Sequence, residues 1–135
     1  MSEPSPPTLF PDRAWLYDVV GDLPGAHVAD QPVWGDVVVL WVGTRMFGLL
    51  AAHPDGRMLL TLKLPPGQND VLRDHHAWIT PGYHTNKRHW SSLELDHPQA
   101  DRGMIEMLVE DSHACLLATL PRWRQDEIRT GVSRP

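Results

Sequence analysis

Cysteine is nearly absent from this chain. The only one among 135 residues is Cys115, which excludes an internal disulfide and any cysteine-based zinc cluster and fits a reducing compartment. Long apolar runs are missing too, since a membrane span needs about 18 or more consecutive apolar residues and none of that length occurs. The opening stretch "MSEPSPPTLFPD" has no basic segment followed by an apolar one, so no secretory signal is expected. The expected setting is the cytoplasm, with no membrane partner. Positive charge is also short. Twelve Lys and Arg against seventeen Asp and Glu give a net charge of −5, the wrong sign for a protein that coats nucleic acid.

The charge that exists is unevenly placed. Residues 1–56 hold two basic and seven acidic side chains, residues 57–90 five and two, and residues 91–135 five and eight, or −5, +3 and −3. A cationic middle third therefore sits inside an acidic protein. Hydrophobic content of 41% and charged content of 21% are those of an ordinary globular chain. At this length a single domain buries about 68% of its unfolded surface, enough for a core without staples. The expected organisation is a flexible proline-rich leader over 1–10, one domain over 11–124 and a tail over 125–135.

Hydrophobic periodicity gives the fold class. Leu16, Val19, Val20 and Leu23 recur at helical spacing after Pro11-Asp12, and Pro24-Gly25 stops that helix. "DVVVLWVG", "RMFGLLAA" and "RMLLTLKL" then read as strands, joined by turns at Gly43-Thr44 and "HPDG". "AHVADQPVW" before them reads as a further strand that Pro32 confines to an edge or a bulge. "QNDVLRDHHAW" reads as a short helix with Asn69 as its cap, and "HWSSLELD" as a strand. In the last long helix, Ile105, Leu108, Val109, Ser112, Leu116 and Leu117 share a face, and Pro121 ends it. The order α–β–β–β–β–α–β–α predicts an α+β domain, an antiparallel sheet flanked by its N- and C-terminal helices.

The densest chemistry lies in "PGYHTNKRHW", residues 81–90. His84 and His89, with His75, His76, Asp70 and Asp74 upstream, raise a metal site. Adjacent His75 and His76 would point about 100° apart on a helix, so a structural role for the histidines is preferred and no metal or other cofactor is expected. Ser91 and Ser92 lack a nucleophile elbow, Cys115 sits in an apolar run, and "GTRMFG" has the wrong spacing for a phosphate loop. No constellation argues for an enzyme. Nucleic acid fits the decamer best: Lys87 and Arg88 can neutralise phosphates, His84, Asn86 and His89 can hydrogen-bond, and Tyr83 and Trp90 offer faces for stacking. Lys63 and Arg57 extend the patch if the sheet brings them alongside. Against this stands a packing role for the aromatics, with Trp90 the better core candidate. Asp12, Asp18 and Asp22 make the first helix acidic, which gives a protein-docking surface as the alternative.

The decamer also resembles the signature of the MmcQ/YjbR family, which reads Pro-Gly-Tyr-His-x-Asn-Lys-(Lys/Arg)-His-Trp. "DLPG" (22–25), "MFGLLA…LTLK" (46–63) and "EDSHACLLATLPR" (110–122) fall in the family's order, with His113 and Arg122 replacing its usual aromatic and lysine. The resemblance covers roughly residues 13–124. It implies a fold like the bacterial frataxin homologue CyaY and DNA binding through a "double wing" of two hairpins. The expected function is weak, salt-sensitive and non-enzymatic DNA or other anion binding through Lys63, His84, Asn86, Lys87, Arg88 and His89. A protein partner at the acidic helix or a sheet edge is the alternative.

Overall fold

The computed structural model describes residues 9–131, so most of the leader and the last four residues lie outside it. A 3-10 turn at Pro11–Arg13 leads into α1 (Ala14–Gly21). Strands β1 (Ala26–Asp30), β2 (Val37–Val42), β3 (Arg45–Ala52) and β4 (Met58–Lys63) follow as an antiparallel meander. After α2 (Pro66–His75), the hairpin of β5 (Ile79–Pro81) and β6 (Trp90–Glu94) pairs through β6 to β4. The six strands lie in the order β1-β2-β3-β4-β6-β5, and α3 (Arg102–Leu117) and α4 (Arg122–Thr130) close the chain. This is the expected α+β architecture. Two elements were not legible, β5 and α4, and α4 occupies positions read as a tail.

The inner face of the sheet carries the core. Leu40, Leu50, Leu60, Leu62 and Leu93 are fully buried against Leu16 and Val20 of α1 and Leu108 and Leu116 of α3. All six stripe residues named for α3 are buried, and Asp101 caps that helix by accepting the Met104 N–H at 2.8 Å. Asn69 caps nothing. Pro65 and Pro66 start α2 without a side-chain cap, and Asn69 is fully buried inside the helix, where its amide serves another purpose.

Close packing of β2, β3 and β4 depends on a local irregularity. The β2–β3 register shifts between Leu40 and Trp41, which leaves Phe47 without a partner on either neighbouring strand. The Ser112 hydroxyl of α3 donates to the Phe47 carbonyl at 2.8 Å. His113, where the family pattern has another aromatic, keeps an edge contact with Phe47 at 5.7 Å and places Nε2 2.8 Å from the Pro24 carbonyl oxygen. Beside the bulge, Gly48 has no room for a side chain: a Cβ would stand 2.9 Å from a methyl of Leu40 and of Leu62.

Tyr17 ties the entry of the chain to α1. Its buried hydroxyl donates to the Leu9 carbonyl at 2.7 Å. Burial first, then the charges of Asp30 and Asp12 against the opposing Arg13, pushes the phenol up to about 12 from an ordinary 10.0. The fold thus favours the neutral phenol. Its contribution is complete below pH 10 and is lost as pH rises toward about 12.

Gly48→Ala should destabilise the protein by about 1–3 kcal/mol through overpacking, read as a lower urea midpoint; an unchanged midpoint would contradict the packing described. Stability followed against pH should fall between 10 and about 12, and Tyr17→Phe should make that fall shallower.

Candidate nucleic-acid interface

The decamer is the connection between β5 and β6. The Gly82 N–H donates to the Trp90 carbonyl at 3.0 Å and closes the loop at its neck. Only glycine fits at that neck, because a Cβ would lie 2.2 Å from the Thr85 hydroxyl and 2.7 Å from the Trp90 Cβ. A loop of this kind has carbonyls turned inward that need donors, and α2 supplies them. Asn69 Nδ2 donates to the Leu64 carbonyl at 2.9 Å and the Arg88 carbonyl at 3.0 Å, while its Oδ1 accepts from the Ser91 hydroxyl at 2.6 Å. One turn on, Arg73 Nε donates to Ser91 Oγ at 3.1 Å and its Nη2 to the carbonyls of Lys87 and Trp90. From the other face of the sheet, Ser92 Oγ accepts the Tyr83 N–H at 2.9 Å and lies 2.7 Å from the Thr61 hydroxyl.

What this frame displays is a run of exposed polar side chains: His84, Asn86, Lys87, Arg88 and His89. Lys87 Nζ folds back to donate to the Gly82 carbonyl at 3.2 Å, next to Tyr83. Asn86 shapes the turn, its Oδ1 accepting the Arg88 N–H at 2.9 Å. His84 holds a left-handed backbone, φ 61°, and its ring lies 3.9 Å from that of Tyr83. Strained backbone of this kind collects at functional loops. No side-chain contact occupies the Arg88 guanidinium among the described residues.

The remaining basic residues of the middle third are placed differently. Lys63 ends β4 opposite Trp90, half-buried, and its charge acts on the Cys115 thiol of α3. Burial raises that thiol, and Lys63 opposes the rise. Arg57 does not extend the patch, because its guanidinium is paired with Asp55 at 2.7 Å and with Glu94. The Asp55 carboxyl is held below its usual range by the Arg57 backbone N–H first and then by the Arg57 side chain. Asp18 on α1 and Asp22 at its C-terminal cap are exposed. Among the described residues, no group of three or more His, Cys, Asp or Glu is arranged to hold a metal ion. No described helix is long and apolar enough to cross a membrane.

The aromatics follow neither expectation in full. Trp90 is only half-buried, and Trp78, 2% exposed, fills the core instead. Tyr83 lies over the outer face with its ring 4.6 Å from His53. Between this loop and the outer face of β2 and β3 runs a groove of about 620 Å³, floored by Leu49 and Ala51 and reaching Trp34 and Asp36. Sequence reasoning missed Trp34, Asp36 and His53. The available signal was Trp34 itself, a large aromatic between the turn residues Pro32 and Gly35.

Fold and loop together define a helix-covered antiparallel-sheet domain that presents one rigidly framed polar loop. The family model described as YjbR matches residues 21–115, a span that contains the loop and its frame and leaves α4 outside. YjbR of Escherichia coli strain K12 is 34% identical over 98 residues, covering 69% of this chain and 79% of that protein. YyaQ of Bacillus subtilis is 43% identical over 54 residues, 40% of this chain and 44% of its own. The crystal structure of the Deinococcus radiodurans protein DR2400 aligns with a TM-score of 0.74 and 28% identity, covering 84% of this chain and 85% of that one. The chain belongs to the YjbR family. YjbR and YyaQ are both described as uncharacterised proteins, so they bring no activity with them.

Asn69→Ala should cost about 2–4 kcal/mol, since it strands the buried Leu64 carbonyl and removes a partner from the Arg88 carbonyl and the Ser91 hydroxyl. Adding Ser91→Ala should cost clearly less than the sum of the two single changes, because they share one network. Additive urea-denaturation energies would contradict the shared network.

Proposed function

We propose that this protein is a non-enzymatic module that binds DNA weakly through the phosphates, using loop 82–90. The observation that supports this most is the side-by-side exposure of Lys87 and Arg88 on a loop whose carbonyls are already satisfied from within by Asn69 and Arg73. A fixed backbone presents both cations without further ordering of the main chain, so less entropy is lost on contact. His84 and His89 add hydrogen-bond donors on the same loop, and Asn86 keeps the turn that sets the spacing. Lys63 contributes from beneath the loop as background charge. The net charge of −5 opposes long-range attraction to a polyanion, so the affinity is low and strongly salt-dependent.

Fluorescence anisotropy with a labelled duplex at low salt tests this. Two phosphate contacts give a log–log salt slope of about −1.8, from about 0.9 per phosphate on B-DNA. Lys87→Ala/Arg88→Ala should abolish binding while lowering stability in urea by no more than about 0.5–1.5 kcal/mol, the worth of the one Lys87 hydrogen bond to the Gly82 carbonyl. Equal binding by the two proteins, or none by either, overturns the reading.

A further inference from the structure

The groove beside the loop shares only His84 with the phosphate contacts just described, and its walls carry recognition chemistry of their own. One wall is Trp34, 52% exposed, on the short turn before β2, with its indole 6.5 Å from that of Trp41. The other is Tyr83 and His84, whose rings lie 3.9 Å apart. The floor is the aliphatic outer face of the sheet at Leu49 and Ala51, and the volume of about 620 Å³ falls in the range of small-ligand pockets, roughly 300–1,000 Å³. Charge is divided across it. Asp36 is the one carboxylate in the lining, exposed and without an ion pair among the described residues. Lys87 Nζ is held on the Gly82 carbonyl, directly before Tyr83.

We infer that this groove takes an unpaired base of single-stranded nucleic acid, a reading that rests on phosphate binding by loop 82–90 and adds the occupant of the adjoining surface. A nucleotide has the matching layout: a planar ring for the aromatic walls, an anionic phosphate for the cations of the adjoining loop, and an exocyclic amine for a carboxylate acceptor. Bases stacked in a duplex cannot present their faces to Trp34 or Tyr83, whereas a single strand can splay one outward. The Asp36 carboxylate accepts from the exocyclic amino group of cytosine, adenine or guanine, whereas unpaired thymine offers only its N3–H, flanked by two carbonyl oxygens that repel a carboxylate. The site therefore prefers amino-bearing bases over thymine.

The test uses the full chain with labelled oligo-dC, oligo-dT and oligo-rC of about 12 nucleotides, alongside a duplex of the same length. Single-stranded oligo-C, of either sugar, should bind more tightly than duplex and than oligo-dT. Trp34→Ala should weaken single-strand binding about 5- to 150-fold, the loss of one base–aromatic stack, and leave duplex binding unchanged. Asp36→Ala, which removes the acceptor altogether, should erase the preference for cytosine over thymine. Both residues are exposed, and far-UV circular dichroism checks that the variants fold. If duplex binding depends on Lys87 and Arg88 while single-strand binding is no tighter or ignores Trp34, the groove inference fails and the phosphate reading stands. If neither form of nucleic acid binds, both fail.

Discussion

One buried carboxamide determines what the rest of the interface can do. Asn69 reaches the end of β4, the far side of loop 82–90 and the first turn-in of β6 at once, through Leu64, Arg88 and Ser91. A neutral amide suits that position because it offers donors and an acceptor together and needs no counter-charge in the interior. Arg73 completes the frame from the next turn of the same helix, so the spacing of four residues along α2 becomes the spacing between two anchor points on the loop. The fold is arranged to hold the loop's backbone from inside and leave its side chains outside.

That division changes how the charge of the middle third should be understood. Its surplus of three positive charges suggests a broad basic surface, but the surface is narrower. Arg73 is spent inward on carbonyls, Arg57 is matched by Asp55 and Glu94, and Lys63 is half-buried at the end of β4. What faces outward is concentrated on a single tip. A polyanion would meet such a small cationic point on an acidic protein in few orientations, so on the proposed function orientation is set before affinity.

The fold was largely legible because its signals are redundant. Alternation in β2 to β4, glycine turns between them and the stripe on α3 all demand the same layers. β5 was illegible because three residues ending in proline carry no period, and α4 because Trp123 and Ile128 alone make no apolar stripe. Asn69 was misjudged for a physical reason. The same residue type that caps helices also satisfies loop carbonyls, and sequence does not say which acceptor lies nearer. The loop's exposed residues were grouped from sequence alone, since nine residues closed at Gly82 cannot separate. Trp34 and Asp36 were not, because the groove they line exists only once β2, β3 and the loop are brought together across some fifty positions.

The brevity of β5 has a consequence for the sheet as a whole. An open edge of well-paired strand is a template on which other chains can grow, and soluble proteins blunt such edges by shortness, proline or cover. Here the edge beyond β6 is three residues long and its last residue, Pro81, lacks an N–H. The opposite edge, β1, runs only five residues before Pro32 begins a turn. Both margins of the sheet are thus poor seeds for cross-β growth, and the turn chemistry that places the loop is also what shortens one of them.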